Sequence, residues 1–550
     1  MKRSWLGAWI AASAGLWWCC RYVKPLINPL SLEVVMRDDW AQHALGWLYF
    51  RNQGLSFPLG KLPNFLYPVG TTVGYMDAIP WVALTLRPFS ALLPESFQYL
   101  GLWIALCSAS LAFVAARIAS GVTPHWEQQA LVGALTAMAP TLITRIVHPA
   151  LCGHTFVVTA LALNLMRTDT AAEARRVMGW ALLVVVLGSA THPYFAVMPL
   201  ALLFGLPWRL RRQLGPWVAS VAALCLLGCA ATVLTALGYL GGGMNDQIDG
   251  FGTYSANLNA LFNSMGHSRI FHTLDYAPSQ YEGYGYLGAG VFLMMAAAVL
   301  TLLWPRARRR VTTLPWRRAG WPLLAAVACA VFAFASPIRW GEREVLSLGF
   351  YEHLHFITDA FRSSGRFIWP LAYCVVIGSA LTVVAALRPY RWVLSAVLAA
   401  AVGLQGYDLQ IDNALDLFKD KRTGRLVASE WSLASHEYKH LVLYPPQVLN
   451  ACGKYHARFV SELAYLAYRN HWTFNSGYAA RYRPAQHDKC KELEQRVEQG
   501  ELREDELYVL EKRDVRRFVH AGAVCGKLDG LRVCAVRKSG EFVDYLSAQR

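Results

Sequence analysis

The chain is short of charge. Asp, Glu, Lys and Arg together make up 16% of its 550 residues, where soluble proteins carry about 25%. With 55% hydrophobic residues and a mean hydropathy of +0.29, so little ionic surface means that most of the chain is dissolved in lipid. Acidic residues are the scarcer sign, 36 against 52 basic, for a net charge of +16. That charge needs no basic face with stacking aromatics to explain it, so nucleic-acid binding is set aside. No P-loop or Rossmann glycine fingerprint stands out, and no soluble nucleotide is implied. The Lys2-Arg3 start and its apolar core lack a small-residue cleavage site, and Trp17-Trp18 before Cys19 argues against lipoprotein processing. The N-terminal segment therefore reads as an uncleaved first span with its N-terminus in the cytoplasm.

What is present is a series of apolar runs separated by arginines. Runs of roughly 20 residues, some shorter, lie near 5–23, 98–117, 127–146, 150–166, 177–191, 194–207, 216–239, 286–304, 320–337, 366–387 and 391–407. They predict a polytopic α-helical membrane protein of about 11 transmembrane helices. Starting inside, an odd number leaves residues 408–550 outside. The clusters Arg209, Arg211 and Arg212, then Arg306, Arg308, Arg309 and Arg310, Arg317 and Arg318, and Arg388 and Arg391 all fall on the cytoplasmic side. Residues 79–93 are short and interrupted by Arg87-Pro88, which predicts an interfacial or re-entrant helix within a long first outer loop, 24–97. The membrane part is thus 1–407.

From 408 the composition becomes that of a small soluble α/β domain of about 140 residues, long enough to hold its own core. "HLVLYPP" and "ELYVLEK" read as strands, "ARFVSELAYLAYRN" and "CKELEQRVEQ" as helices. "CGKLDGLRVC" reads as a hairpin turning at Asp529-Gly530. Counting outward places Cys525 opposite Cys534 in a non-hydrogen-bonded pair, where Cα atoms approach to about 4.5 Å, within disulfide range. Cys452 and Cys490 remain to pair with each other. Two disulfides imply an oxidising compartment; the alternative is four buried free thiols. The remaining cysteines lie in or at the ends of spans as small packing residues.

Polar residues of chemical interest gather on the outer side. Asp38 and Asp39 follow the first span, with His43 just beyond, and Asp77 precedes the interfacial helix. A carboxylate shielded from water at the lipid boundary acquires a raised pKa and can act as a general base. Arg362 and Arg366, four apart, share a face if their segment is helical, and could hold a phosphate leaving group. His148 and His192 sit in outside turns and join His43 as substrate-binding candidates. Simpler roles exist for each: a helix cap or solvated charge for the aspartates, headgroup anchoring for the arginines, local carbonyl bonds for His148 and His192. Glu352, His353, His355 and Asp359 have metal-ligand character but no ligand spacing, so a divalent metal is compatible and no metal site is predicted.

The order of these features resembles the GT-C superfamily of polytopic, polyprenyl-phosphate-sugar-dependent glycosyltransferases. "RDDWAQH" matches the acidic pair of the first outer loop. "MDAIPWVALTLRPF" matches the second acidic residue ahead of a proline-bearing interfacial helix, and "QYLGLWIALCSASLAFVAARIAS" matches the second span. More narrowly, "DDWAQHALGWLYFRN", "FPLGKLPNFLYPVGTTVGYMDAIP", "HPALCGH", "EGYGYLGAGV" and "FRSSGRFIWP" resemble a family of bacterial polytopic membrane proteins over nearly the whole chain. The resemblance implies that Asp38 or Asp39 is the acid/base residue, Asp77 its partner, and Arg362 and Arg366 phosphate-facing. Asp39 stands where Glu is common, and no basic residue follows Asp77 directly.

The expectation is a GT-C-like enzyme of the bacterial inner membrane with its C-terminal domain extracytoplasmic. It would take a sugar from a lipid-linked donor to an envelope glycan, lipid or protein acceptor, without a cofactor. A lipid or solute transporter, or a non-catalytic envelope-assembly subunit, is the alternative. Charges clustered on one side rather than at the midplane count against transport.

Overall fold

The computed structural model describes residues 2–241, 250–410, 426–536 and 539–549. The side chains of residues 2–4, 33, 38, 457 and 458 lie outside that description, and with them the Asp38 carboxylate. The chain forms two compact units: Met1–Ile27 with Gly101–Leu234 and Asp246–Lys419, and Asn28–Leu100 with Thr235–Asn245 and Asp420–Arg550.

The first unit, the membrane unit, is helical and carries the apolar helices that suggest association with a bilayer. Among the described residues four helices are long and apolar enough to cross a bilayer: Leu100–Ala119, Pro216–Ala236, Trp316–Phe334 and Ser364–Leu387. A fifth is reached if Ala289–Leu303 and Pro305–Val311, bent by 112°, make one span. The other expected runs fall short for identifiable reasons. Lys2–Ile27, Ala171–Ser189 and Arg391–Asp408 have the length but are less apolar. The run near 127–146 breaks into Trp126–Ala137 and Pro140–Ile143, and the one near 194–207 yields only Pro193–Leu203. Eleven helical residues reach about 16 Å, half the hydrocarbon thickness.

Small residues let these helices approach. Ala8 and Ala11 of Lys2–Ile27 pack with Ala112, Ala116 and Ala137. A Cβ on Gly133 would stand 2.5 Å from the Ala112 carbonyl oxygen, a close approach only glycine permits. The first turn of Ala289–Leu303 is satisfied from Arg391–Asp408: the amide of Ala289 donates to Asp408 Oδ2 at 2.9 Å, and that of Gly290 to Gln405 Oε1 at 3.0 Å. A buried carboxylate at a helix N-terminus satisfies orphan amides and complements the dipole.

The second unit is built on a five-stranded mixed sheet in the order 473–474, 440–444, 506–510, 531–535, 524–528. The first three strands are parallel and the rest antiparallel. Strands His440–Tyr444 and Glu506–Leu510 and helices Ala457–Arg469 and Pro484–Glu498 lie on the segments whose patterns predict them. In the hairpin Leu528 faces Leu531, Lys527 faces Arg532 and Cys525 faces Cys534. Asp529 and Gly530 both have positive φ, 49° and 78°, as a two-residue turn of this hand requires. Disulfides join Cys525 to Cys534, Cα atoms 4.1 Å apart, and Cys452 to Cys490, 6.4 Å apart.

The segment Asn28–Leu100, between the helices Lys2–Ile27 and Leu100–Ala119, belongs to this unit rather than to the membrane helices. Its segment around Phe65 pairs with the edge strand: Tyr67 donates its amide to Phe474 O, and Phe474 to Asn64 O, each at 2.9 Å. The sheet edge is thereby covered. The helix Asp38–Arg51 docks through the Tyr49 hydroxyl, which donates to Ala464 O at 2.8 Å. At its end the Arg51 guanidinium binds the carbonyls of Ser90, Leu93, Pro94 and Glu95. Residues 79–93 form Pro80–Leu86 and a 3-10 turn, Arg87–Leu92, too short to span.

Candidate functional site

Two polar constellations stand out, one in each unit. In the second unit, Asp38 and Asp39 open the helix Asp38–Arg51, where negative charge is favoured by the helix dipole. One turn on, His43 is fully buried, its Nδ1 2.6 Å from the Asp39 carbonyl oxygen. Gln42, on the same turn, points its amide nitrogen at the following loop. It donates to Tyr75 O and to Asp77 Oδ2, both at 3.1 Å. The helix that opens with the acidic pair is thus tied to Asp77, far away in sequence, through one side chain.

The backbone at Asp77 is strained. Asp77 (φ 51°) and Ile79 (φ 50°) are both left-handed, a conformation that costs on the order of 1–3 kcal/mol for residues other than glycine and is worst for a β-branched one. Tyr99 donates its hydroxyl to the Ala78 carbonyl between them. The turn fixes an Asp77 side chain that is only 4% exposed. Strain held in place by hydrogen bonds marks a position whose geometry matters.

The membrane unit holds a buried ion triad. Arg366 grips the Glu282 carboxylate in a fork, Nε to Oε2 at 3.0 Å and Nη2 to Oε1 at 2.9 Å, while Arg145 Nη1 reaches Oε2 at 2.8 Å. Glu282, Arg366 and Arg145 are 9%, 9% and 7% exposed. Burial by itself pushes the Glu282 carboxyl up, but the guanidiniums of Arg366 and Arg145 outweigh it and hold its pKa well below the ordinary carboxylate value. Arg366 also lies over the Tyr194 ring at 4.9 Å, and the Tyr194 hydroxyl accepts from the Ser363 amide at 3.2 Å. His192 stacks on Tyr194, and His148 meets His192 edge-on at 5.9 Å. Two guanidiniums against one carboxylate leave surplus positive charge in a place shielded from water, a setting that favours an anionic group such as a phosphate.

Of the residues expected from sequence, the membrane unit gathers Arg366, His148 and His192. Arg362 is half-buried and precedes the 3-10 turn Ser364–Ile368, so no continuous helix carries it on one face with Arg366. Glu352, His353 and His355 are exposed. Sequence reasoning missed Gln42, Tyr99, Arg145, Tyr194 and Glu282. Arg145 carried a usable signal, an arginine within an apolar run, and Glu282 lay inside the phrase "EGYGYLGAGV".

The model of a family described as Domain of unknown function (DUF6311) matches residues 11–410, and that of the DUF6311 C-terminal domain matches 430–536. Among curated proteins, none matches. Two solved structures are distantly similar to the chain. The archaeal oligosaccharyltransferase AglB from Archaeoglobus fulgidus, in complex with an inhibitory peptide and a dolichol-phosphate, is 12% identical with a TM-score of 0.42, over 96% of this chain and 74% of that one. The Archaeoglobus fulgidus oligosaccharyltransferase in the apo form is 14% identical with a TM-score of 0.39, over 85% and 64%. On the strength of the family match, which takes in most of the membrane unit and the C-terminal sheet, the chain belongs to the DUF6311 family.

Proposed function

We propose that this protein is a GT-C-like membrane glycosyltransferase of the bacterial inner membrane. It moves a sugar from a polyprenyl-phosphate donor to an envelope glycan, lipid or protein acceptor on the extracytoplasmic side. The observation that carries this is the strained, buried Asp77 turn tied by Gln42 to the helix that begins at Asp38-Asp39. In the reaction a carboxylate of this group takes the proton of the acceptor nucleophile as that atom bonds to the sugar C1. The bond from C1 to the phosphate oxygen breaks, and its electron pair leaves with the polyprenyl phosphate. Asp77, Asp38 and Asp39 are the candidates for that base. Arg366 and Arg145 are the candidates for stabilising phosphate charge, and Arg362, His43, His148 and His192 for holding substrate. The disulfides Cys452–Cys490 and Cys525–Cys534 suit a domain outside the cytoplasm.

The test compares envelope lipids and glycans by mass spectrometry in a deletion strain, the same strain with the gene restored, and one carrying Asp38→Asn with Asp39→Asn at matched membrane levels. A transferase predicts a sugar-sized mass difference that only the wild type restores. Full restoration by the double variant would leave the pair as a helix cap and move the chemistry to Asp77. No difference between deletion and wild type would sink the proposal.

A further inference from the structure

The C-terminal part of the second unit has a cleft that the transferase chemistry does not use. Its volume is 270 Å³, and it lies between the helix Pro484–Glu498 and the parallel end of the sheet. Gln486, Lys489, Leu493 and Arg496 follow one another at helical spacing along the wall, opposite Val442, Asn475 and Glu506. Tyr67-Pro68, from the phrase "NFLYPVG" of the segment 28–100, adds a further part of the wall. At the ~30 Å³ that each water takes in the liquid, the space holds about nine waters, or one ring-sized ligand of about a dozen heavy atoms.

The lining is built for a polyhydroxylated, negatively charged molecule. Gln486 is 2% exposed and its Oε1 has no hydrogen-bond partner. A buried amide oxygen left that way awaits a donor such as a ligand hydroxyl. Glu506, 5% exposed, is fixed by the Tyr508 hydroxyl at 2.5 Å and Arg496 Nη2 at 2.7 Å. Tyr67 is a rigid aromatic wall, stacked at 4.7 Å on His440, whose Nδ1 lies 2.7 Å from Thr473 Oγ1. Lys489 pairs with Glu492 at 2.5 Å, and Arg496 with Glu506. Arg503, 3.9 Å from Oε1 of Glu506, whose other oxygen Arg496 already binds, adds a positive charge at the mouth. Three cations face two carboxylates. An apolar ligand would leave Gln486 unsatisfied, and a neutral one would leave the charge unmatched.

We infer that this cleft is a binding site for a sugar unit bearing an anionic group, with Gln486 receiving a hydroxyl, Tyr67 packing against the ring and Arg503 facing the charge. The inference extends past glycosyl transfer: binding here stands whether or not the protein is an enzyme. It is tested on the full-length protein in detergent by saturation-transfer NMR titrations with glucuronic acid, glucose 6-phosphate, glucose and inorganic phosphate. Both acidic sugars should bind at least tenfold more tightly than glucose and than phosphate alone, and whichever of the two binds better identifies the anionic group. Gln486→Leu should weaken their binding at least tenfold. Arg503→Gln, at an exposed position that leaves folding intact, should abolish the preference over glucose. Asp77→Asn should bind as the wild type does, which separates this site from the transfer chemistry. Equal binding of charged and neutral sugars, or wild-type binding by Arg503→Gln, overturns the inference.

Discussion

At the scale of single residues, the firmest expectation concerns Glu282. Glu282→Gln leaves two buried guanidiniums facing each other without their anion, and breaking such a buried pair costs about 3–5 kcal/mol. Thermal unfolding in detergent should show a large fall in Tm, whereas Arg167→Ala, which removes an exposed, solvent-screened pair with Asp169, should leave Tm essentially unchanged. The same carboxylate gives a pH signature. Its folded pKa lies below the unfolded value of about 4.3, so its contribution is complete above that pH and is lost as pH falls towards the folded value. Between pH 7 and 5 the wild type should lose no stability on its account, and Glu282→Gln should flatten the acid limb measured below pH 4. None of this was legible in the sequence, because Arg145 and Glu282 are 137 residues apart and no local pattern encodes their meeting. Asp77 was legible as a candidate through its place ahead of Pro80, but its strained turn and its link to Gln42 were not.

At the scale of elements, the hairpin Val524–Leu528 with Leu531–Ala535 is the part that sequence specifies best. Asp529-Gly530 fixes the turn, the turn fixes the register, and the register brings Cys525 opposite Cys534. A cross-link closing so short a loop, separation 9, stabilises by about 2–3 kcal/mol in the chain-entropy view. Cys525→Ser with Cys534→Ser should lower the unfolding midpoint accordingly. Thiol alkylation of the denatured wild type should label these two cysteines only after reduction; labelling without reduction would contradict the oxidised pairing. Spans were less legible. Hydropathy locates apolar runs, but at Pro140 the chain breaks a helix that composition alone reads as continuous over 127–146.

At the scale of the whole molecule, the grouping of residues 28–100 with 420–550 was the least legible feature, since it depends on contacts such as Asn64 and Tyr67 with Phe474 and Tyr49 with Ala464. Removing 420–550 should strip the loop of these partners, and limited proteolysis should then cut within 28–100 at sites protected in the full chain. Protection persisting in the truncated protein would show that the loop folds without the sheet. The arginine clusters predict the same orientation as the disulfides, so an alkaline phosphatase fused at the C-terminus should be active.

Transfer of a sugar releases polyprenyl phosphate whatever the sugar and acceptor are, and that release is the measurement to make. Membranes containing wild type or Asp77→Asn at equal levels and equal thermal stability would be supplied with extracted lipid-linked sugars and acceptor, and free polyprenyl phosphate followed by mass spectrometry. Loss of a general base costs about 10²–10⁴-fold, so release by the variant should fall at least a hundredfold. Equal release from the two, or none from the wild type, would contradict a glycosyl-transfer role built on this carboxylate.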